Sequence, residues 1–447
     1  MGADLGVKMN RRDTLQALGW ISASTFVPIA TPALAGGLVY HVSGSGSDSN
    51  DGMSPASAFR TLQKASNLTL PGDTVLVMNG DYTNPYAATS VLKIERSGTR
   101  RGFITYKNYP GHHPRVVVNS NNWQGIAIRA SYIVVEGFEV AGNAASTTYE
   151  YAYSQKDNLL NPATGANGIL ADGRNTGTLR NIIIRGNYVH HVPGCGAGAI
   201  AADYVTICDN VVHSCAWWNP YGNSGISVYS SRDIDKNTSN YKTIVRRNMC
   251  FDNENFIPFH SAHEITDGNG IIIDDNKNTQ QSGVAPYKGR TLVENNLCYN
   301  NGGTGMHAYK SANTDFLNNT AYFNNRSSNL DNGEIVANGC TSVRLFNNIL
   351  SAREGKVCQT FWGNVSVVYN HNIYFNGVAG VKGPNDIVAD PNFVNASVDP
   401  LVADFRSAPG SPALGTATSQ LAPSDDIEQT PRPSNLGIDR GAYQKTA

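Results

Sequence analysis

The stretch 267–310 reads DGNGIIIDDNKNTQQSGVAPYKGRTLVENNLCYNNGGTGMHAYK, and the rest of the chain can be interpreted from it. Two short apolar strands begin after Gly270 and Gly305, and each ends in a polar cluster. Between them lies another strand and turn, TLVENN, at 291–296. The same pattern of glycine, strand, polar residues and asparagine recurs on both sides, which predicts neighbouring coils of a solenoid. The stretch also contains the densest set of ionisable groups in the chain.

An asparagine recurs at the second strand of each predicted coil. Where no loop intervenes, successive positions lie 23 or 24 residues apart, a period typical of one β-helix coil. A leucine-rich repeat needs a leucine consensus that is absent, and propeller blades need longer periods. Stacked asparagines can hydrogen-bond from coil to coil at a tight bend, so we predict a structural ladder. Its members are Asn187, Asn210, Asn248, Asn296, Asn319, Asn348 and Asn372.

A strand that starts at a glycine or another small residue precedes each of these asparagines. The first and third positions after the small residue are mostly apolar, so period-two alternation predicts that they face the core. The second and fourth positions then face outward and collect one column of ionisable groups. The small residues align as Gly125, Gly168, Ala199, Gly225, Gly270, Gly305 and Gly333. The fourth positions are Arg129, Asp172, Asp203, Tyr229, Asp274 and Tyr309, and the second positions include Ser227 and His307.

Composition favours one large, repetitive β domain. The chain of 447 residues contains 44 glycines, only 15% of its residues are charged, and long amphipathic helical patterns are nearly absent. The formal net charge is -1 and no basic block occurs, which argues against nucleic acid as a partner.

Residues 1–35 are predicted to be an export signal and not part of the fold. Two arginines at 11–12 precede an apolar run that closes with the small-x-small pattern ALA at 33–35. The arginine pair resembles a twin-arginine signal, and Thr14 leaves ordinary secretion open. We therefore expect a secreted or periplasmic protein, free of the membrane once processed, with a single domain over 36–447.

The cysteines indicate core packing more than cross-linking. Seven cysteines cannot all pair within one chain. Cys250 and Cys298 each follow a ladder asparagine by two residues, so we expect them to stack on neighbouring coils as small core residues, with a disulfide as the alternative. No Cys/His spacing typical of zinc is present.

After the predicted export signal, the chain opens with the strand VYHV at 39–42, a helical pattern at 61–65 and the run PGDTVLV at 71–77. This opening resembles that of secreted right-handed parallel β-helix polysaccharide lyases. The resemblance implies an all-β fold, a right-handed parallel β-helix with a short N-terminal capping helix. The cap is then 36–85, and a closing tail covers about 386–447.

The calcium-dependent pectate-lyase type within this group implies a particular site. Clustered aspartates bind calcium there, and a lysine or arginine is the base. On this chain the implied calcium ligands are Asp274, Asp275, Asp267 and Asp203. With calcium, Lys310 is the expected base; without it, His307 is, because a neutral imidazole needs no large pKa shift. Tyr309 or Tyr229 is then the proton donor, and Asp274 belongs to the catalytic group.

Other residues of the predicted groove are expected to bind substrate. Arg129 can form bidentate hydrogen bonds with a uronate carboxylate. Asp172 and Asp203 lie in the same column and are also expected to bind substrate. Aromatic rings in the flanking loops suit stacking on sugar rings, and they can equally cover the edges of the coils. The candidates are Trp217, Trp218 and Tyr151.

The resulting hypothesis is a monomeric lyase that cleaves an acidic, uronate-containing polysaccharide by β-elimination. A glycoside hydrolase on the same solenoid is the alternative, because Asp203 and Asp274, two coils apart at about 9.6 Å, approach the spacing of an inverting pair. A non-catalytic, carbohydrate-binding surface protein is the third possibility, and it predicts a featureless polar face.

Overall fold

The computed structural model describes residues 36–432 and 437–445, so the predicted export signal at 1–35 lies outside the described residues. Three long parallel sheets contain most of the strands, and the chain visits them in turn, once per coil. The fold is therefore a right-handed parallel β-helix, as predicted. None of the helices in the described part of the chain is long and apolar enough to span a membrane.

Sheet I has eight strands and the other two have eleven each. The strands of sheet I are Thr89–Ile94, Asn122–Ile128, Asn167–Asp172, Ala197–Ile200, Ile226–Tyr229, Ile271–Asp274, Met306–Tyr309 and Ile335–Asn338. Those of sheet II are Val39–Val42, Thr74–Val77, Ile104–Asn108, Ile133–Glu136, Leu179–Arg185, Ala202–Cys208, Tyr241–Arg246, Arg290–Glu294, Thr314–Leu317, Arg344–Phe346 and Val368–Asn370. Those of sheet III are Asp81–Tyr82, Arg115–Val117, Glu139–Ala141, Tyr188–His190, Val211–His213, Met249–Phe251, Leu297–Tyr299, Thr320–Tyr322, Ile349–Ser351, Ile373–Phe375 and Ile387–Val388.

Two small sheets and five short helices complete the described elements. Val357–Gln359 pairs with Val378–Ala379, and Phe393–Asn395 pairs with Asp404–Ser407. The α-helices are Leu62–Ser66, Tyr149–Ser154 and Pro162–Gly165, and the 3-10 helices are Pro55–Ser57 and Ala144–Ser146.

The core lies inside the coil and is built from the apolar positions predicted above. In sheet I, Ile126, Ile169, Ile226, Ile271 and Met306 share one register, and all of them are fully buried. Cys250 and Cys298 lie opposite each other on neighbouring strands of sheet III, both buried and both free thiols, as predicted. The alternation of apolar and outward residues thus fixes which face of each strand is available for chemistry.

The asparagine ladder is confirmed at the bend between sheets II and III. The amide of Asn296 donates to Oδ1 of Asn319 at 3.0 Å and to the Val245 carbonyl at 3.0 Å, and the other members repeat this pattern. The residue before each ladder position has a left-handed backbone, as Asn295 does with φ 53°. This conformation turns the chain sharply, and the amides satisfy the backbone groups that the turn would otherwise leave buried and unpaired. Asp386 accepts from Asn372 and closes the ladder.

Both ends of the described chain pack on this solenoid. The Thr61 hydroxyl accepts from the Lys64 amide and begins the helix Leu62–Ser66, whose buried Leu62 joins the core. In the tail, Phe405 packs against the outward rings of Tyr299 and Tyr322, with ring centres 5.2 and 5.1 Å away. The tail therefore lies along the outer face of sheet III and leaves the outer face of sheet I to its own loops.

Candidate functional site

The outer face of sheet I carries one line of fourth-position residues near the carboxyl ends of its strands. The observed register defines this outer row as Arg129, Asp172, Ile200, Tyr229, Asp274, Tyr309 and Asn338. Neighbouring members lie one strand spacing apart, about 4.8 Å. The predicted column is therefore confirmed except at one coil, where an isoleucine replaces the expected aspartate.

The prediction for Asp203 was wrong because the alignment of its strand was shifted by three residues. Ala197, not Ile200, pairs with the first core positions of the neighbouring coils, so Gly196 is the aligned small residue. The local sequence GCGAGAIAAD offers small residues at nearly every position, and a small-residue signal cannot fix the register there. Asp203 belongs to sheet II and is fully buried, and the hydrolase pair of Asp203 with Asp274 is excluded with it.

A smaller shift affects the last coil of sheet I. Ile335 pairs with Met306, so Glu334, not Gly333, occupies the aligned position. The buried Glu334 side chain accepts hydrogen bonds from the backbone and the amide of Asn324. It ends a second ladder, in which Asn253 donates to Asn301 and Asn301 donates to Asn324.

A sharp bend follows the outer row, and it decides where two predicted residues lie. Asp275 and Lys310 have left-handed backbones, with φ 42° and 45°, at the same position on neighbouring coils. Asp275 accepts from the Thr279 hydroxyl and from the backbone amides of Thr279 and Gln280, so it stabilises the turn. The Lys310 ammonium lies 5.0 Å from the centre of the Tyr309 ring and stays beside the row.

Asp274 is the least satisfied polar side chain of the outer row. The residue is half-buried, and its Oδ1 atom is shielded from solvent and has no hydrogen-bond partner. Burial raises the pKa of this carboxyl well above its ordinary value, the charges of Asp267 and Asp275 raise it further, and Lys310 opposes them. A carboxyl kept protonated in this way can donate a hydrogen bond or a proton to a ligand.

His307 provides the second unpartnered polar atom on the neighbouring coil. The imidazole is 7% exposed, its Nδ1 is buried without a partner, and the side-chain amide of Asn338 lies 3.4 Å from Nε2. Burial lowers the pKa of His307 to about 4, so the ring is neutral at pH 7. Its centre lies 5.7 Å from that of Tyr309, which pairs with Asp274 across the strands. The carboxyl of Asp274, the imidazole of His307 and the phenol of Tyr309 therefore lie close together on the outer face of sheet I.

The other end of the row carries a cationic cluster. Asp172 lies between Arg129 and Arg174, with one oxygen 2.8 Å from both guanidinium groups. Burial would raise the pKa of Asp172, but hydrogen bonds from Arg174 and Arg129 outweigh it and lower the pKa to about 2. The cluster keeps one unit of positive charge, which suits an anionic ligand.

Tyr229 lies between these two groups, and its hydroxyl accepts from the Gln281 amide at 2.6 Å. Burial raises its pKa above the ordinary value, so the phenol stays protonated. The structure therefore keeps Tyr229 in the row, in contact with the loop that follows Asp274.

The four predicted calcium ligands do not form one site. Asp267 and Asp275 are near enough to Asp274 to raise its pKa, but Asp203 lies on sheet II. Asp203 accepts from Lys242 and from the Tyr287 hydroxyl on sheet II, and Asp275 is engaged in its turn. Asp267 accepts from the Thr266 hydroxyl and the Asn269 amide, and burial raises its pKa to about 6. Within the described ranges, no three or more His, Cys, Asp or Glu side chains are placed to hold a metal ion. The donor set does not fit calcium, and we derive no step through it.

The predicted tryptophans belong to the packing of the loops. Trp218 is 7% exposed, donates from Nε1 to the Ala144 carbonyl and packs in a small apolar cluster. The Trp217 indole donates to the Asp252 carbonyl, with its ring 6.0 Å from Phe256. Each indole nitrogen is occupied by a backbone carbonyl, and the rings anchor the loops. The assignment of Trp217 and Trp218 as substrate-binding residues stays a prediction.

Tyr151 remains on the surface, and its neighbours on the same helix line a cavity. Its hydroxyl contacts the Asn161 amide at 3.1 Å. Tyr149 and Tyr153, one helical turn apart, stack with ring centres 5.6 Å apart. Both rings face a cavity of about 600 Å³ that Glu264 and other loop residues also line.

The structure adds an aromatic wall that was absent from the predicted groove. Trp362 and Phe361 are each about half exposed, at 51% and 52%. The Trp362 carbonyl accepts from the Gly339 amide at 2.7 Å, which holds its ring 5.9 Å from that of Tyr309. Lys277 also reaches this end of the row, where its ammonium donates to the Gly339 carbonyl. The only sign of this aromatic wall in the sequence is that Phe361 and Trp362 are adjacent aromatic residues outside the aligned coils.

Solved structures that are similar to this chain include a pectate lyase, a lacto-N-biosidase and an alginate lyase. The crystal structure of pectate lyase Pel9A superposes with a TM-score of 0.56 at 16% identity, covering 93% of this chain and 98% of that one. A lacto-N-biosidase from Eubacterium ramulus gives 0.46 at 16% identity, covering 75% and 56%. An alginate lyase from Paenibacillus sp. gives 0.33 at 13% identity, covering 70% and 95%. At 16% identity, the likeness to the pectate lyase is one of fold.

Comparison with curated protein sequences gives no match. The family model for the Pel9A-like right-handed β-helix region matches residues 40–338, which is more than half of the chain. The outer row from Arg129 to Asn338 lies entirely inside the matched region. The chain belongs to the Pel9A-like right-handed β-helix family.

Proposed function

We propose that the protein is a polysaccharide lyase that cleaves an acidic, uronate-containing polysaccharide by β-elimination. The observation that carries this proposal is the pair of unpartnered buried atoms, Asp274 Oδ1 and His307 Nδ1, on neighbouring coils of sheet I. Buried polar groups are nearly always hydrogen-bonded. Two buried atoms without a partner on the outer face of sheet I therefore favour a site at which a bound ligand supplies the missing hydrogen bonds. Burial and the nearby carboxylates raise the pKa of Asp274 and so favour its neutral form, and burial lowers the pKa of His307 to about 4, which leaves the imidazole neutral at pH 7.

The charges along the outer row favour a polyanion. With Asp274 in its neutral form, Asp172 is the ionised carboxylate of the outer row. It pairs with the guanidinium groups of Arg129 and Arg174, so this cluster has a net charge of +1. Two lysines extend the positive charge past Tyr309. The cations concerned are Arg129, Arg174, Lys277 and Lys310. A groove lined by one sign of charge concentrates a polymer of the opposite sign.

The elimination needs three groups, and the site supplies each. The imidazole of His307 takes the proton from the carbon beside the uronate carboxyl, and the electron pair of that bond forms the new carbon–carbon double bond. The bond to the 4-linked oxygen breaks, and the Tyr309 phenol gives that oxygen a proton. The protonated Asp274 hydrogen-bonds to the uronate carboxylate as negative charge builds on it.

Lys310 supports this chemistry as a cation. Its ammonium lies beside Tyr309 and acts electrostatically on Asp274. A nearby positive charge stabilises the phenolate that remains after Tyr309 has given up its proton. The arrangement therefore favours His307 over Lys310 as the base.

The polymer is tested by a screen over pectate, alginate, glycosaminoglycans and bacterial exopolysaccharides. We expect cleavage of at least one uronate polymer, with ultraviolet absorbance from the unsaturated product rising in step with new reducing ends. Reducing ends without that absorbance identify a hydrolase. If neither ultraviolet absorbance nor new reducing ends appear with any polymer, the protein is assigned as a carbohydrate-binding protein without catalytic activity. The predicted export signal at 1–35 fits an enzyme that meets its polymer outside the cytoplasm.

A glycoside hydrolase is the second candidate, and the Asp267–Asp274 pair favours it. Each carboxyl has a raised pKa, and Asp267 contributes to the shift at Asp274. Two interacting carboxyls that ionise at different pH can serve as general acid and general base. This pair replaces the one with Asp203 that the sequence suggested.

The aromatic wall is expected to bind a sugar ring beside the reacting unit. Replacing Trp362 with Ala removes a half-exposed ring next to Tyr309, and we expect KM to rise roughly three- to tenfold with little change in kcat. Trp362→Phe keeps an aromatic face and is the matched control. A fall in kcat at unchanged KM in Trp362→Ala, measured on the best polymer of the screen, contradicts a binding role.

A further inference from the structure

Asn338, the last member of the outer row, lies against the imidazole of His307. Its side-chain amide is 3.4 Å from Nε2 of His307, across the pair of strands that ends sheet I. Asn338 is 2% exposed and His307 is 7% exposed, so both side chains are shielded from solvent. Among the described residues, Nδ1 of His307 has no hydrogen-bond partner. The contact with Asn338 therefore distinguishes the two ring nitrogens.

The backbone around Asn338 decides which end of its amide faces the imidazole. A side-chain amide has an oxygen that accepts and a nitrogen that donates, and the surrounding groups determine where each of them lies. The backbone carbonyls of Ala337 and Thr360 are 3.0 and 3.2 Å from one end of the amide. Carbonyl oxygens only accept, so the nitrogen occupies that end and donates to both. The oxygen of Asn338 then lies at the other end, which faces Nε2 of His307.

The amide oxygen of Asn338 has an acceptor position to spare for the imidazole. The Thr360 hydroxyl is 3.1 Å from this oxygen, but it carries a single proton and also lies 2.8 Å from the Asn332 carbonyl. An amide oxygen has two lone pairs, so a bond from Thr360 still leaves one for Nε2 of His307. The backbone amide of Thr360 donates to the same Asn332 carbonyl at 3.0 Å, which fixes this segment beside the outer row.

This orientation of Asn338 selects the tautomer of His307. Burial lowers the pKa of His307 to about 4, so at pH 7 the neutral ring carries one proton. On Nε2, that proton points at the oxygen of Asn338. On Nδ1, it would be a buried donor without an acceptor, and the lone pairs of Nε2 and of the amide oxygen would face each other, which is costly. The proton therefore belongs on Nε2, and the lone pair on Nδ1.

The other groups around the imidazole are compatible with this tautomer. The ring of Tyr309 lies 5.7 Å from that of His307, Asp274 pairs with Tyr309 from the preceding coil, and the Lys310 ammonium lies beside the Tyr309 ring. On the side of the following coil, the neighbour is Asn338, which is neutral at every accessible pH. A carboxylate at this position would raise the pKa of His307, whereas an amide leaves the effect of burial in place.

We infer that Asn338 is a positioning residue that holds His307 as the Nε2–H tautomer and so makes Nδ1 the atom that accepts the substrate proton. The role of Nδ1 rests on the proposed lyase function, whereas the tautomer does not depend on it. When Nδ1 has taken the proton, both ring nitrogens carry one, and Nε2–H still donates to the oxygen of Asn338. That oxygen stabilises the imidazolium, as the orienting partner of a catalytic histidine does.

Nitrogen-15 NMR of the protein labelled at its histidines measures the tautomer without any substrate. The signals of His307 are identified by their loss in His307→Gln. At pH 7 we expect the shifts of a protonated Nε2 and an unprotonated Nδ1, and we expect them to change only as the pH falls towards about 4. A proton on Nδ1 in the wild-type protein overturns the inference.

Replacing Asn338 separates a positioning role from a merely structural one. In Asn338→Ala we expect a mixture of the two tautomers, and a kcat lower by roughly 10- to 100-fold with little change in KM. Asn338→Asp keeps an oxygen towards Nε2 in either protonation state, so it should retain the Nε2–H tautomer and more activity than Asn338→Ala. Asn385→Ala removes an exposed asparagine just before the last strand of sheet III and should behave as the wild type. An unchanged tautomer in a folded Asn338→Ala overturns the inference.

The spectra also distinguish a failure of this inference from a failure of the proposed function. If no polymer is cleaved, the proposed lyase function fails, and a wild-type Nε2–H tautomer that Asn338→Ala disturbs still supports the positioning role. If a polymer is cleaved by a reaction that needs His307, but the wild-type ring carries its proton on Nδ1, then Nε2 is the base and only the present inference fails. If Asn338→Ala cannot be obtained in folded form, the wild-type spectrum and Asn338→Asp decide.

Discussion

Replacing Asp274 with Ala is expected to lower kcat/KM on the uronate polymer by roughly 10²- to 10⁴-fold, the range of a positioned acid group. The raised pKa of Asp274 favours a protonated carboxyl beside Tyr309, with Oδ1 unpartnered, and its loss removes the proposed hydrogen bond to the uronate carboxylate. The same change removes a buried polar atom without a partner, which costs free energy in the wild type. We therefore expect the melting temperature to stay the same or to rise.

Asp274→Asn is the informative control. Its amide can still donate a hydrogen bond to a carboxylate but cannot give up a proton. A lyase that uses Asp274 to bind the uronate group should keep much more activity in Asp274→Asn than in Asp274→Ala. Equal and nearly complete loss in both variants, with a normal melting temperature, indicates that Asp274 is a general acid and favours the hydrolase.

Replacing His307 with Ala is expected to lower kcat by roughly 10²- to 10⁴-fold with a smaller change in KM, because the base acts in the chemical step. His371→Ala is the matched control, since His371 is also partly buried with an unpartnered Nδ1 but lies on a bend outside sheet I. If His307→Ala folds normally and keeps near-native turnover while Lys310→Ala does not, the base is Lys310.

The pH dependence follows from the same two groups. Burial lowers the pKa of His307 to about 4, so the base is neutral and active above that pH and becomes protonated below it. Burial raises the pKa of Asp274, so its carboxyl stays protonated until the pH passes that raised value. We expect kcat/KM to increase as the pH rises through about 4, and to fall where Asp274 ionises. In His307→Gln, the pH profile of kcat/KM should no longer show the increase through about pH 4.

The fold could be predicted because its determinants are local and repeat. Each ladder asparagine satisfies its own bend and the next one, so the same residue must recur once per coil, as Asn296 and Asn319 do. The core positions Ile271 and Ile273 alternate with outward residues in every strand of sheet I. These patterns also identified Asp274, Tyr309 and most of the outer row.

The rest of the site depends on contacts that a single strand does not reveal. The register of Ala197–Ile200 is set by its neighbours, and its own small residues allow several alignments. Asp203 was therefore assigned to the outer row although it faces Lys242, whose direction depends on a bulge in another sheet. Trp362 reaches Tyr309 from an irregular segment with no repeat signal.

The most direct test of the account is cleavage of the best polymer in water enriched in oxygen-18, followed by mass spectrometry of the fragments. β-Elimination breaks the glycosidic bond without adding water, so we predict fragments with an unsaturated end and no heavy oxygen at the new reducing end from the cleavage step. Chelator should leave this result unchanged. Fragments heavier by one water, with heavy oxygen fixed at the cleaved bond, contradict the account and assign the site to hydrolysis.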